Sequence, residues 1–340
     1  MDLTVQKRAL QLKAKQDQVF NRMGLAIGIT SGFLWGVNNL LFSLGYAAIP
    51  EASIVNMMGD NAALFAIPLA CAAINDSFAA IALTIFNVMR GMGQELWRTV
   101  KTKPGMIVCF AALLGGPIGQ SCYFLGSALA GPAYALTITA LYPIIGCLLA
   151  RVLLKQEING RMWLGICLSV IGAVVVSYAP PSGDSPNFVL GLMFAGVSAL
   201  CWGTEIVLAV FGMSMVDPDI AINLREITSG LLLSLIVLPF VGGWTVVDVV
   251  VHTPKAITLL MAAGAAAGFS YLCWYSANNK IGCAKGMAMN STFIIWGVVL
   301  NTIFGNITEI TPNIAIGCFS VFCGVVLVSV NPLDFFKKGE

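Results

Sequence analysis

The stretch Ser31-Gly-Phe-Leu-Trp35-Gly36 recurs later in the chain as Ser198-Ala-Leu-Cys-Trp202-Gly203, and Gly45 has its counterpart at Gly212. A second set of matches lies near the end of each half: Gly165, Gly172, Ser177 and Pro180 align with Gly317, Gly324, Ser329 and Pro332. The chain is therefore built from two related halves, and this duplication decides which folds are possible.

The composition places both halves in a membrane. Of the 340 residues, 58% are hydrophobic and only 10% are charged, and the mean hydropathy is +0.87. A soluble domain carries about 25% charged residues, so too little polar surface would remain here to face water. A net charge of +2 argues against a nucleic-acid partner. The single His and the ten Cys, none in metal-binding spacing, predict no metal or other cofactor.

Ten apolar runs are long enough to cross a bilayer, and helices are the element that fits them because strand-like alternation is absent. The runs cover residues 24–47, 53–74, 105–128, 132–153, 160–179, 187–212, 219–241, 256–278, 284–304 and 311–330. Residues 77–100 begin apolar and end with Arg90, Glu95 and Arg98, so they fit either an eleventh crossing or a helical connection at the membrane surface.

The distribution of positive charge favours ten crossings. With the N-terminus inside, sixteen of the 18 Lys and Arg residues lie on the inner side, the exceptions being Lys255 and Arg225. An eleventh crossing would move the basic residues of the second half to the outer side. We therefore predict both termini in the cytoplasm and the cell membrane as the location.

Each half then holds five crossings, and because five is odd, the second half is inserted upside down relative to the first. The predicted fold is all-α, with ten transmembrane helices in two inverted five-helix repeats. Such repeats are typical of secondary transporters, which bind substrate at the repeat interface near mid-membrane. The predicted units are a cytoplasmic leader (1–22), a first repeat (23–180) with a long cytoplasmic connection (about 75–104), a second repeat (187–332) and a cytoplasmic tail (333–340).

Charged residues within the spans need a reason, because a charge at mid-bilayer costs at least about 2.5–3.5 kcal/mol. Glu205 is either a functional acid or a structural carboxylate bonded to a neighbouring helix. Asp60 and Arg225 are either functional or a buried structural pair. Glu226 and Asp76 both lie near predicted inner ends of their spans, where Glu226 is expected to reach water and Asp76 receives no role.

Aromatic residues accompany these charges. Trp202 and Glu205 are three residues apart and share one helix face, as do Trp35 and Asn38 at the matching place in the first half. An aromatic cage with one anion suits a quaternary ammonium, since each cation–π contact contributes about 0.5–2 kcal/mol. For any single aromatic residue, core packing or lipid contact is the alternative. The candidate substrate-binding residues are Trp35, Tyr142, Trp202, Glu205, Tyr271, Trp274, Tyr275, Asn290 and Trp296, and the candidates for proton coupling are Glu205, Asp60 and Arg225.

The two units resemble EamA repeats of the drug/metabolite transporter (DMT) superfamily over residues 24–332. The features shared with that family are a Trp-Gly pair in the first helix of each unit and a polar or acidic stop after the fourth helix, seen here as Leu154-Lys-Gln-Glu157 and Gly305-Asn-Ile-Thr-Glu309. The departures are the leader, the connection at 75–104 and the polar pair Asn38-Asn39 in the first span.

Three stretches resemble the bacterial choline transporters of the LicB type more closely. They are Gly116-Pro-Ile-Gly119 with Ala140-Leu-Tyr-Pro143, then Trp202-Gly-Thr-Glu205, then Ser270-Tyr-Leu-Cys-Trp-Tyr275 with Asn290 and Trp296. The resemblance implies proton-coupled choline import, with the cation in an aromatic box between the halves. The expected partners are a small cation, protons and membrane lipid, in a monomer or homodimer.

Three alternatives stay open at this point. The cation could be carnitine or betaine instead of choline. The chain could be an EamA-type exporter of amino acids or other metabolites. An intramembrane enzyme acting on lipid is the third reading, but no Ser-His, His-rich or paired-carboxylate motif lies at a shared depth to support it, so we expect no enzymatic activity.

Overall fold

The computed structural model describes residues 3–177, 187–304 and 310–329, and ten helices in these ranges are long and apolar enough to cross a membrane. We number them as spans 1 to 10: Gln18–Ala47, Asp60–Met89, Lys103–Ala130, Tyr134–Leu153, Gly160–Ser177, Phe188–Gly212, Pro218–Val241, Pro254–Ile281, Cys283–Ile303 and Pro312–Ser329. Pro180, Pro332, the stretch 305–309 and the tail 333–340 lie outside the described residues. The all-α fold with ten spans is as predicted.

Short helices connect some of the spans. Span 1 is the second part of one helix, Leu3–Ala47, so the leader and the first span are continuous from Leu3. Three further short helices, Glu51–Met58, Gly93–Thr99 and Gly243–Val251, precede spans 2, 3 and 8. Gly59, at φ 84°, separates the first of them from span 2, a left-handed conformation that glycine adopts without strain.

The predicted bounds of span 2 were wrong. The structure has one helix of 30 residues from Asp60 to Met89, which takes in most of the apolar part of the predicted connection. The segment between spans 2 and 3 is therefore short and includes the helix Gly93–Thr99. The run from Phe78 to Met89 continues the buried face of the preceding residues, and no helix-ending residue separates the two. Ten crossings remain, but the helix extends past Asp76.

Spans 4 and 9 are broken at corresponding places in the two halves. Span 4 lies within the helices Pro132–Thr139 and Tyr142–Leu153, and span 9 consists of Cys283–Asn290 and Phe293–Ile303. Each first piece follows a glycine with positive φ, Gly131 or Gly282. Interrupted helices at equivalent positions of inverted repeats border the substrate site in many transporters. The two breaks therefore indicate where a substrate site is expected.

Spans 5 and 10 pack through the glycines that align in the two repeats. A Cβ atom on Gly172 would lie 2.6 Å from the carbonyl oxygen of Gly317, and one on Gly165 would lie 2.6 Å from that of Gly324. In the converse direction, a Cβ atom on Gly317 would lie 2.7 Å from the carbonyl oxygen of Gly172, and one on Gly324 would lie 2.5 Å from that of Gly165. The contact is thus reciprocal, as a two-fold relation between inverted repeats requires, and the backbones approach closely because no side chain intervenes.

We expect Gly172→Leu to destabilise the protein by about 1–3 kcal/mol, because the added side chain must push spans 5 and 10 apart. Gly196→Leu in span 6 is the matched control, since a Cβ there meets no atom within 4 Å. Thermal unfolding in detergent measures both variants. Equal melting temperatures for the two would contradict the close packing of spans 5 and 10.

Candidate functional site: a buried charge cluster beside aromatic side chains

Arg225 of span 7 is surrounded by carboxylates in the interior of the helix bundle. Its Nε atom donates to Glu205 Oε1 at 2.7 Å, and its Nη1 atom donates to Glu226 Oε1 at 2.8 Å. The same Nη1 atom lies 3.7 Å from Asp76 Oδ2. All four side chains are at most 3% exposed. Spans 2, 6 and 7 each contribute an acid, so the ion pairs join three helices; we call these four residues the charge cluster.

Asp76 has further partners that hold its carboxylate in place. Ser229 Oγ donates to Asp76 Oδ2 at 2.6 Å, and Gln120 Nε2 lies 3.4 Å from the same oxygen. On the neighbouring residue, Asn75 Oδ1 accepts a hydrogen bond from Asn38 Nδ2 at 2.8 Å. Span 1 is thereby connected to the cluster through two amides, and span 3 through Gln120.

Span 3 has two glycines where the cluster touches it. A Cβ atom on Gly115 would lie 1.7 Å from Glu205 Oε2, and one on Gly116 would lie 1.9 Å from Ser229 Oγ. Both positions fall in a π-helical turn, Leu114–Gln120, which contains Pro117. A π-helical turn is frequent at functional sites. The glycines and the turn allow Glu205 and Ser229 to lie directly against the backbone of span 3.

A row of aromatic rings begins at the cluster. The guanidinium carbon of Arg225 lies 4.8 Å from the ring centroid of Tyr271. The ring of Tyr271 lies 4.9 Å from that of Trp35 and 6.1 Å from that of Trp274, and Trp274 lies 5.9 Å from Tyr275. Span 8 therefore supplies three of the four rings, as its sequence predicts, and span 1 supplies the fourth.

Trp202 belongs to a second aromatic group and lies one helical turn from Glu205 on span 6. Its Nε1 atom donates to the carbonyl oxygen of Gly115 at 2.9 Å, and its ring lies 5.6 Å from Tyr123 and 6.4 Å from Tyr142. Tyr142 is the first residue of the helix after the break in span 4. Trp202 therefore connects Tyr142, at the break in span 4, with Glu205 on span 6.

Two buried polar atoms among the aromatic residues have no hydrogen-bond partner in the described part of the chain. They are Trp274 Nε1 and Tyr275 Oη. Trp274 is 7% exposed and Tyr275 is fully buried. An unpaired indole or phenol in a protein interior is uncommon, and a bound molecule or water usually satisfies it. These two atoms are therefore available to a ligand.

A polar cavity of about 540 Å³ lies where span 8 ends and span 9 begins. Asn278 lines the cavity and is one helical turn from Tyr275 and Trp274, with its Nδ2 atom donating to the carbonyl oxygen of Trp274 at 2.8 Å. Glu157, in the connection after span 4, and Lys285, at the start of span 9, also line it. Asn278 thus links the lining of the cavity to the aromatic residues of span 8.

The remaining candidates lie apart from these groups. In the described residues, the ring of Trp296 contacts that of Phe33 at 5.2 Å and no ring of the other two groups. Asn290 Nδ2 donates to Ser31 Oγ at 2.7 Å, and Ser31 in turn meets Ser270. Asn290 thus ties span 9 to spans 1 and 8, which is a packing role in this conformation.

Two placements of acidic residues were wrong. Asp60 does not lie within the membrane interior: it is the exposed first residue of its helix, about 24 Å along the axis from Asp76. It therefore does not pair with Arg225. Glu226 does not reach water, since it is fully buried beside Arg225. Asp76, which received no role, is the span 2 member of the charge cluster.

Comparison with known proteins agrees with this architecture. The model of the EamA-like transporter family matches residues 22–178 and again 189–330, which is one match for each half. The chain belongs to the EamA-like transporter family. It is a multi-pass membrane protein, and its family membership indicates a transporter of the DMT superfamily.

Two individual proteins extend the comparison. Protein LicB of Haemophilus influenzae is 25% identical over 287 residues, which cover 82% of this chain and 87% of that protein. A solved crystal structure superimposes with a TM-score of 0.66 at 17% identity, covering 93% of this chain and 99% of the other. The structural likeness shows the fold alone, and the likeness to LicB accords with the resemblance found in the sequence.

Arg225→Met should destabilise the protein by about 3–5 kcal/mol, because it leaves three buried carboxylates without their cation. Glu205→Gln in the same background removes one of those charges, so we expect the double variant to be less destabilised than the sum of the two single variants. Thermal unfolding of the four proteins in detergent gives the coupling free energy. Additivity within about 0.5 kcal/mol would contradict the cluster as described.

Proposed function

We propose that the protein imports choline or a similar quaternary ammonium ion by alternating access, driven by the proton gradient. The observation that carries the proposal is the excess of acid in the charge cluster. Three carboxylates surround one guanidinium, so the ionised cluster has two negative charges more than positive ones. In the interior of a membrane such an excess attracts either protons or a cationic substrate.

The aromatic residues suit a cation that cannot donate hydrogen bonds. A quaternary ammonium is recognised through its methyl groups on aromatic faces. Tyr271, Trp274 and Tyr275 form a continuous set of rings next to Arg225, and Trp202 approaches the cluster from the side of span 3. The unpaired Trp274 Nε1 and Tyr275 Oη could bind the hydroxyl of choline, which carnitine shares and betaine lacks.

The proposed proton coupling involves two acids of the charge cluster, one that faces choline and one that carries a proton together with it. Burial favours the neutral form of an acid, whereas a bound cation favours the charged form. Glu205 shares a helix face with Trp202 and accepts from Arg225, so in this proposal it holds a proton when the site is empty and faces choline when the site is occupied. Exchange on Glu205 alone would move a proton and choline in opposite directions, so import driven by the proton gradient needs Glu226 or Asp76 to carry a proton in the same step as choline.

The proposed orientation has both termini and the basic connections on the cytoplasmic side, by the positive-inside rule. The polar cavity between spans 5, 8 and 9 then opens toward the cytoplasm, since it is lined by the connection after span 4 and by Lys285. In this orientation the cavity is the route by which the cation leaves the aromatic residues after import.

A direct test of the substrate class uses thermal stabilisation of the purified protein. A ligand that binds the folded state raises the melting temperature. Choline, carnitine and betaine are compared with a panel of amino acids at equal concentration. Stabilisation by choline supports the proposal, whereas stabilisation by amino acids alone would favour an exporter of metabolites in the same family.

Trp202→Ala should weaken choline binding by about tenfold, because the loss of one cation–π contact removes about 1–2 kcal/mol. Trp202→Phe should keep much of the affinity. Trp97→Ala is the control, since Trp97 is 69% exposed and lies between spans 2 and 3. Calorimetric titration with choline measures all three, and parental affinity in Trp202→Ala would remove Trp202 from the site.

For Glu205→Gln we expect choline affinity to fall by about 30-fold or more, as for the loss of a buried charge partner. In the parent, choline affinity should decrease as the pH is lowered, because protons compete for the carboxylate; the variant should lose this dependence. Asp60→Asn is the control, since Asp60 is exposed and remote from the cluster. If Glu205→Gln retained the parental affinity and pH profile, Glu205 would not be the acid for which protons and choline compete.

A further inference from the structure

Spans 2 and 7 pack together and present polar side chains along their contact. On span 7, Asp219, Asn223 and Glu226 are spaced by four and three residues, so they share one helix face. On span 2, Asp76, Thr84 and Asn87 also lie on one helix face, because they are separated by eight and three residues. Ala80, a small residue, lies on the same face midway between Asp76 and Thr84. We call these polar residues, Asp76, Thr84, Asn87, Asp219, Asn223 and Glu226, the polar seam.

Hydrogen bonds cross the seam in the order expected for antiparallel helices. Ser229 donates to Asp76 in the interior, Thr84 Oγ1 donates to Asn223 Oδ1 at 3.1 Å, and Asn87 Nδ2 donates to the carbonyl oxygen of Asp219 at 3.1 Å. Successive contacts therefore lead from the charge cluster toward one end of the bundle.

The seam ends at a solvent-exposed ion pair. Arg90 and Asp219 form a salt bridge, and their side chains are 47% and 20% exposed. From Asp76 to Arg90, span 2 rises about 21 Å, which exceeds half of the roughly 30 Å hydrocarbon thickness. The polar seam is thus long enough to connect the centre of the membrane with its surface.

Three buried polar atoms along the seam have no hydrogen-bond partner among the described residues. They are Asn87 Oδ1, Asn223 Nδ2 and Glu226 Oε2, and their residues are fully buried. Buried polar groups without a protein partner are normally satisfied by ordered water. Interhelical packing by polar side chains, which is common in membranes, explains the bonds across the seam but leaves these three atoms unsatisfied.

We infer that the polar seam holds a file of water molecules and conducts protons between the membrane face at Arg90 and the carboxylates of Glu226 and Asp76. During import, a proton held on Glu226 Oε2 leaves along the file to the face at Arg90, which the proposed orientation makes cytoplasmic, and the reverse path reloads the carboxylate. This inference rests on the proposed proton coupling and adds its route. The cation would use a different path, past the aromatic residues of span 8 and through the polar cavity.

Other charged or titratable groups face the inner end of the seam. Glu205 of span 6, Arg225 of span 7 and Tyr271 of span 8 contact or adjoin Glu226 and Asp76. A proton delivered to Glu226 changes the charge beside Arg225, and Arg225 also binds Glu205. The seam therefore exchanges protons with the same charge cluster that is proposed to face the cation.

The test blocks the seam without touching the cluster. Asn223→Leu fills the position with an apolar side chain and removes the unpaired amide, whereas Asn223→Ser keeps the position polar and small. Asn301→Leu in span 9 is the matched control, because the Asn301 amide donates to the backbone of its own helix. Choline uptake driven by a pH gradient and choline counterflow without a gradient are measured in proteoliposomes.

We expect Asn223→Leu to slow gradient-driven uptake by about tenfold while choline binding and counterflow stay at parental rates, since exchange of loaded carriers needs no net proton movement. Asn223→Ser and Asn301→Leu should resemble the parent. Equal loss of uptake and counterflow in Asn223→Leu would indicate a packing role and overturn the inference. So would parental gradient-driven uptake in that variant, or an equal loss in Asn223→Ser.

A second measurement does not depend on choline. The deuterium exchange rate of protonated carboxyl groups, followed by infrared spectroscopy after transfer to heavy water, should be slower in Asn87→Leu and Asn223→Leu than in the parent and Asn301→Leu. Equal exchange rates in all four proteins would overturn the inference. If choline bound to none of the proteins, the proposed function would fail, but the exchange rates would still show whether the polar seam conducts protons.

Discussion

The ion pairs of Arg225 are the constraint on which the surrounding structure depends. A guanidinium in the membrane interior needs anionic partners, and Glu205, Glu226 and Asp76 supply them from three spans. Because each acid is fixed to its own helix, the relative position of spans 2, 6 and 7 determines whether the charges are matched. Any movement of one of these helices changes the electrostatic balance of the others, which is the property that a charge-coupled transporter requires.

The two halves share a backbone plan but differ in chemistry. Trp35 and Asn38 occupy the places in span 1 that Trp202 and Glu205 occupy in span 6. Asn38 bonds to Asn75 and to a backbone carbonyl, whereas Glu205 bonds to Arg225. The first half therefore uses neutral amides where the second uses an ion pair. The asymmetry concentrates the charge in the second repeat, although Asp76 comes from the first.

The sequence was sufficient for the features that depend on composition and periodicity. Ten spans, the inverted repeats and the shared face of Trp202 and Glu205 required only apolar runs and helical spacing. Asp76 was missed because the apolar residues after it were interpreted as a surface connection, which placed it at the end of a helix. The unbroken run from Asp60 to Met89 was the signal that could have located it. The bonds of Ser229 and Gln120 to Asp76 depend on tertiary packing, and no local pattern predicts them.

The position of Arg225 relates the aromatic residues to the ion pairs. Its guanidinium lies over the ring of Tyr271, so it already occupies the cation site that this ring offers. Under the proposed function, a quaternary ammonium bound at Tyr271 would compete with Arg225, both for the ring of Tyr271 and for the carboxylate of Glu205. Binding of the substrate would then displace Arg225 toward Glu226 and Asp76, the two acids at the inner end of the polar seam. The competition would link occupancy of the aromatic site to the charge state of these acids, and no separate signalling element between the two would be needed.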